Sequence, residues 1–253
     1  MNTPAPGILI RSILIILLTT AFQVLRSQPY DLIIINGHLI DPAHQINAPM
    51  DIAIREGKVA LVSRDIPEDQ GLKLIDAAGM YVVPGLIDMH VHVFHGTEPN
   101  AYIGNSFTSV PPDAFSFRSG VTTVVDAGSS GWRNFEVFKA QTIDESRTRV
   151  LAFLNIVGFG MKGGKIEQNL HDMQADQAAF MANKYPEYIV GFKVAHYAGP
   201  EWDPIDRSVE AGENTGKPVM IDFGGIVPEL SLETLLLDKL RPGDVFTHAY
   251  AHV

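Results

Sequence analysis

Gly85-Leu-Ile-Asp-Met-His-Val-His-Val93 is an apolar run interrupted by histidines at positions i and i+2, and the fold turns on how it is read. In a strand, residues two apart point to the same face, so His90 and His92 present two imidazoles side by side at one strand end. That geometry suits a divalent cation, and it also describes two polar residues on an exposed edge strand. The surrounding sequence separates the two readings.

Downstream, apolar runs at 121–126, 150–157, 189–195, 218–223 and 244–248 alternate with helix-compatible stretches at 135–146, 166–184, 204–215 and 230–240. Such alternation is the pattern of βα units around a parallel sheet. A (β/α)8 barrel takes about 250 residues, so residues 84–253 read as an α/β fold, an incomplete (β/α)8 TIM-like barrel of about six βα units. Upstream, the short β-rich runs at 31–37, 51–62 and 73–83 are separated by Asn-Gly, Glu-Gly and Ala-Gly turn signals. They predict hairpins of a small antiparallel sheet, the β-sandwich portion, over residues 28–83.

Residues 1–27 read as an address. Arg11 precedes an apolar stretch, 12–22, with the length of a signal-peptide core and too short to span a bilayer comfortably. A signal peptide cleaved near Ser27 implies a bacterial periplasmic or secreted protein with no stable membrane insertion afterwards; an uncleaved N-terminal anchor is the alternative. The 253 residues are 46% hydrophobic and 19% charged, enough apolar content for a substantial core. The formal net charge is -10 and no Lys/Arg run forms a basic stripe, which excludes nucleic acid as a partner. Cysteine is absent, so any metal is held by His, carboxylate or a modified Lys.

Val83-Pro-Gly-Leu-Ile-Asp-Met-His90-Val-His92 resembles the signature of the amidohydrolase superfamily, preceded by hairpins of its small β-sandwich. The resemblance extends through Gly120-Val-Thr-Thr-Val-Val-Asp-Ala-Gly-Ser-Ser-Gly131, Val190-Gly-Phe-Lys193-Val and Arg241-Pro-Gly-Asp-Val-Phe-Thr-His248, and is strongest to the deacetylase and dihydroorotase-like branch. It implies a metal-dependent hydrolase of amide or ester bonds in small acylated substrates, acting on C–N bonds other than peptide bonds. A hydantoinase-like cyclic-amide hydrolase and an inactive metal-binding fragment are the alternatives.

On that resemblance His90, His92, Lys193 and His248 hold two divalent ions, zinc or else manganese, with Lys193 carboxylated and bridging them. Burial of Lys193 in an apolar run favours its neutral, carbon-dioxide-reactive amine. Asp222 stands where the family has a histidine; it is either a substitute ligand or a turn-forming residue before Gly224-Gly225. His196 either faces the substrate or is a solvated loop histidine. Asp126, Gly128 and Gly131 form a tight loop after the second barrel strand, with Asp126 able to orient a ligand. The family's proton-transferring aspartate, on an eighth strand, falls beyond Val253, so no catalytic residue is assigned and the chain reads as the first two-thirds of a longer hydrolase. The oligomeric state is open, a homo-oligomer included.

Overall fold

The computed structural model describes residues 28–96, 109–223 and 227–250. The signal segment predicted at 1–27 lies outside the described residues. The chain divides between Pro84 and Gly85 into two compact units.

The first unit is a five-stranded sheet. β1 (Leu32–Asp41) pairs antiparallel with β2 (Ile46–Arg55), and β2 with β3 (Lys58–Ser63). Glu56 and Gly57 connect the last pair, both with positive φ (53° and 70°), the backbone of a two-residue hairpin turn that matches strand twist. β4 (Leu74–Asp76) and β5 (Tyr81–Val82) both pair with β1, and they run parallel to it. This corrects the expectation of a purely antiparallel sheet. After β3 the chain does not turn back but passes through Pro67 and a short 3-10 turn to reach the other side of β1, and a connection across a strand restores its direction. Ile33, Ala53 and Ile66 form the small core. Buried Asp51 holds the bulge in β1 by accepting the N–H groups of Asn36 and Ile66, each at 3.0 Å.

The second unit is a parallel sheet of six strands in sequence order: β6 (Leu86–Val91), β7 (Val121–Gly131), β8 (Arg149–Asn155), β9 (Ile189–Tyr197), β10 (Val219–Phe223) and β11 (Val245–Phe246). With helices between strands it is an incomplete TIM-like barrel following a small β portion. Val124, Leu154, Phe192 and Ile221 pack on the helix side with Phe135 and Phe138, while Val125, Ala127, Phe153 and Met220 cluster on the other face. Both faces are therefore buried, as the unbroken apolar runs require.

Three of the four predicted helices are shorter or broken, while the one at 204–215 forms over its full length. α1 (Phe135–Phe138) widens into a π turn, Lys139–Ile143, that ends where Lys139 Nζ meets Asp144 at 2.6 Å. The stretch predicted as one helix over 166–184 is α2 (Gly164–Glu167), a 3-10 turn (Leu170–Asp172) and α3 (Ala175–Lys184). The break falls at Asn169, whose side chain accepts the His171 N–H at 3.1 Å and so competes with the helical ladder. α4 (Asp203–Thr215) has Pro204 in its first turn and ends on left-handed Gly216. α5 (Leu232–Thr234), capped by Ser231, runs into a second π turn, Leu235–Lys239. Residues 126–131, predicted as a loop, continue β7 as a bulged strand end: Gly128, at φ 93°, absorbs the irregularity that a turn would otherwise take. Among the described residues no helix is long and apolar enough to cross a membrane.

Candidate metal centre

The chemistry-bearing side chains gather at the C-terminal ends of β6, β9, β10 and β11, on the edge of a parallel barrel where successive strands converge their ends. His90 is the penultimate residue of β6 and His92 follows the strand. Lys193 and His196 lie near the end of β9, Asp222 near the end of β10, and His248 just past β11. One ligand atom from each of His90, Asp222 and His248 lies within 4.8 Å of the others. The His90 and His248 ring centroids are 5.2 Å apart, those of His90 and His92 5.6 Å.

Asp222 Oδ2 is the hub. It lies 3.3 Å from Lys193 Nζ, 3.3 Å from His248 Nε2 and 3.8 Å from His196 Nε2, and the carboxylate is buried. Lys193 is fully buried, and among the described residues its Nζ has one hydrogen-bond partner, Asp222. An ammonium carries three donors, so in that form two of its positions have no partner among the described residues. Burial pushes Lys193 down from the ordinary lysine range, against the pull of Asp222 and Asp126.

His92 is outside the tight trio. Its Nδ1 pairs with Ser129 Oγ at 3.1 Å, which leaves Nε2 for a ligand. Asp126 holds both sides of that contact: Oδ1 accepts the Ser129 N–H at 2.7 Å, and Oδ2 accepts the N–H of Val93, next to His92, at 2.8 Å. Burial pushes the Asp126 carboxyl up to about 6 despite those donors. Burial, and then the nearby Lys193 charge, pushes His90 and His92 down to about 4. At neutral pH both imidazoles are unprotonated, the form that coordinates a metal.

His196 and His248 have φ of 55° and 58° and are the only non-glycine residues of the second unit, among those described, with positive φ. Such a conformation costs about 1–3 kcal/mol and persists where the surroundings over-determine it. The structure shows how at His196, through two residues the sequence reading did not single out. Buried Glu167 Oε2 is 3.0 Å from His196 Nδ1, and Gln168 Nε2 donates to His196 O at 2.7 Å. The hydrogen bond to Glu167 is the main cause that raises the His196 pKa. No sequence signal marked these residues beyond the Gly163-Gly164 pair before them. His38 and His44 lie in the first unit, paired with Asn47 and Asp41, and His171 is exposed.

The donor set fits a divalent ion: two imidazoles and a carboxylate converge, a third imidazole stands beside them, and a buried lysine faces the carboxylate. Borderline nitrogen and hard oxygen donors together suit zinc or manganese.

No family model matches the chain. It is 32% identical to a deacetylase of Agrobacterium fabrum over 202 residues, 77% of this chain and 47% of the relative. A deacetylase of Enterococcus faecalis is 30% identical over 226 residues, 87% of this chain and 57% of the relative. A solved dihydroorotase structure superposes with a TM-score of 0.71 at 28% identity, covering 88% of this chain and 58% of that one. The chain belongs to the amidohydrolase superfamily. Within that superfamily it sits with deacetylase and dihydroorotase relatives, and it spans about half the length of the curated relatives it matches.

Proposed function

We propose that this amidohydrolase-superfamily chain provides the metal-binding part of a hydrolase that cleaves an amide or ester bond in a small acylated substrate. It holds two divalent ions, zinc in the first instance and manganese in the second, through His90, His92, Lys193, Asp222 and His248, with Lys193 carboxylated. The observation that supports this reading most is the convergence of His90, Asp222 and His248 within 4.8 Å, beside a lysine buried without enough partners for an ammonium.

When bound, such ions polarise the scissile carbonyl and lower the pKa of water. The chain's own residues prepare that chemistry. His90 and His92 are kept neutral by burial, Ser129 orients the His92 ring by occupying Nδ1, and Asp222 brings a carboxylate to the point where Lys193, His196 and His248 meet. His196 faces the same space and is proposed to contact substrate. The proton-transferring aspartate that the resemblance places on an eighth strand has no counterpart among the six described strands of the sheet. Export to the periplasm or medium, through residues 1–27, is part of the proposal.

The test is elemental analysis of the purified chain together with hydrolysis of N-acetyl amino acids in saturating zinc or manganese. Bound metal that is lost in the Lys193→Ala chain is the expected result, and turnover beside it would mean that this chain also supplies the proton transfer. Metal without turnover identifies a metal-binding remnant, and a chain that takes up no metal refutes the proposal.

A further inference from the structure

Glu167 is a buried carboxylate, 2% exposed, that the metal cluster does not use. Its two oxygens are divided between two partners: Oε1 accepts the Gly163 N–H at 2.6 Å and Oε2 meets His196 Nδ1 at 3.0 Å. Gln168, the next residue, grips the backbone of the same histidine on both sides, donating from Nε2 to His196 O at 2.7 Å and accepting the Ala198 N–H on Oε1 at 2.9 Å. Between those two grips His196 holds its left-handed backbone, at the point where the pairing of β9 with β10 shifts register.

We infer that Glu167 and Gln168 are positioning residues that together clamp His196, one by its ring and the other by its backbone, so that Nδ1 faces Glu167 and Nε2 faces the metal centre. Anchoring the loop would need only the Gly163 contact. A second carboxylate oxygen spent on an imidazole, inside a buried setting, fixes ring rotation and tautomer as well. A carboxylate only accepts, so the Nδ1 of His196 carries a proton, and Nε2 is the nitrogen presented 3.8 Å from Asp222 Oδ2. What Nε2 faces rests on the metallohydrolase reading; the clamp itself does not.

Glu167→Gln separates the clamp from the loop. The Gly163 N–H still requires an acceptor, so the amide oxygen stays there and the amide NH2 turns to His196. Nδ1 must then accept, and the ring proton moves to Nε2. Long-range proton–nitrogen correlation spectra of the histidine-labelled full chain, with the His196 signal identified by its loss in His196→Asn, read this directly. The expected result is a protonated Nδ1 in the parent and a protonated Nε2 in E167Q, at equal metal content. In the zinc-loaded chain, kcat/KM should fall by about 10- to 100-fold in E167Q, and E167Q should add nothing further in the His196→Asn background. An unprotonated Nδ1 in the parent, an unchanged ring in E167Q, or an additive loss in the double variant overturns the clamp. A parent chain that takes up no metal overturns the metallohydrolase reading instead, while the spectra still decide the clamp.

Discussion

Gly128→Ala should damage the site and the second unit together. A Cβ added at Gly128 would lie 2.5 Å from Lys193 Cγ, 2.9 Å from Lys193 Cβ and 3.2 Å from Asn155 Nδ2. None of these can retreat freely, because Lys193 is fully buried and Asn155 is tied to Gly128 O and Val157 N, each at 3.0 Å. The φ of 93° adds a left-handed backbone cost of about 1–2 kcal/mol for an L side chain, and the steric overlap adds about 1–3 kcal/mol. The sum, about 2–5 kcal/mol, corresponds to a fall in Tm of about 4–20 °C for a unit of this size. Gly216→Ala is the control: its φ is 68°, and its Cβ would meet nothing within 4 Å, so it carries only the backbone cost, about 1 kcal/mol. Both tryptophans, Trp132 and Trp202, lie in the second unit, so urea unfolding followed by their fluorescence reports on it. G128A matching G216A within about 0.5 kcal/mol, with unchanged metal content, would refute the claim that Gly128 is held open by Lys193.

Asp222→Asn leaves Lys193 buried without its carboxylate, which should cost about 3–5 kcal/mol while the lysine stays charged and abolish metal loading; urea unfolding and elemental analysis check both. The metal-free chain should also lose stability on mild acidification. His90 and His92 fall from 6.5 to about 4 on folding, so their contribution is complete above 6.5 and is lost as pH falls toward 4; Asp126, raised from 3.8 to about 6, acts in the opposite direction over nearly the same window. Two against one leaves a net uptake of protons on unfolding, so stability falls as pH drops through that window, and Asp126→Asn should steepen the slope in urea titrations between about pH 4.5 and about pH 6.5. Metal uptake by chelator-stripped protein should increase with added bicarbonate and show no such dependence in Lys193→Ala, as measured by metal content after desalting.

The barrel strands were legible because both faces are buried and each strand therefore reads as an apolar run. The histidine pair was legible because i and i+2 share a face whatever the neighbours do. What failed depended on distant partners. Glu167 sits in a stretch with helical spacing, where a carboxylate reads as a solvated side chain; its role comes from His196, 29 residues away in sequence. Gly128 and Gly131 read as a turn because glycine permits one, yet Gly128 lets β7 continue past a bulge and gives Lys193 room. The parallel direction of β4 and β5 was hidden for a related reason: a turn signal marks where a chain bends, not which side of the sheet it reaches.

The contact between Lys193 and Asp222 links the apo and loaded forms of the site. As an amine or ammonium, Lys193 attracts the carboxylate 3.3 Å away, and the pair can exist without a metal. The carboxylation proposed at Lys193 reverses its sign, so the same contact becomes two anions in a buried setting, where low effective dielectric makes like charges repel far more strongly than in water. Neutral His90 and His92 supply no counter-charge, and Asp126 lies behind them as a further acid. Added cations balance that arrangement, so carboxylation of the lysine and occupancy of the metal positions should rise and fall together. On the proposed carboxylation, a buried lysine paired with one carboxylate has a physical reason to stand in the sheet: unmodified it offsets Asp222, and modified it would make the site depend on metal.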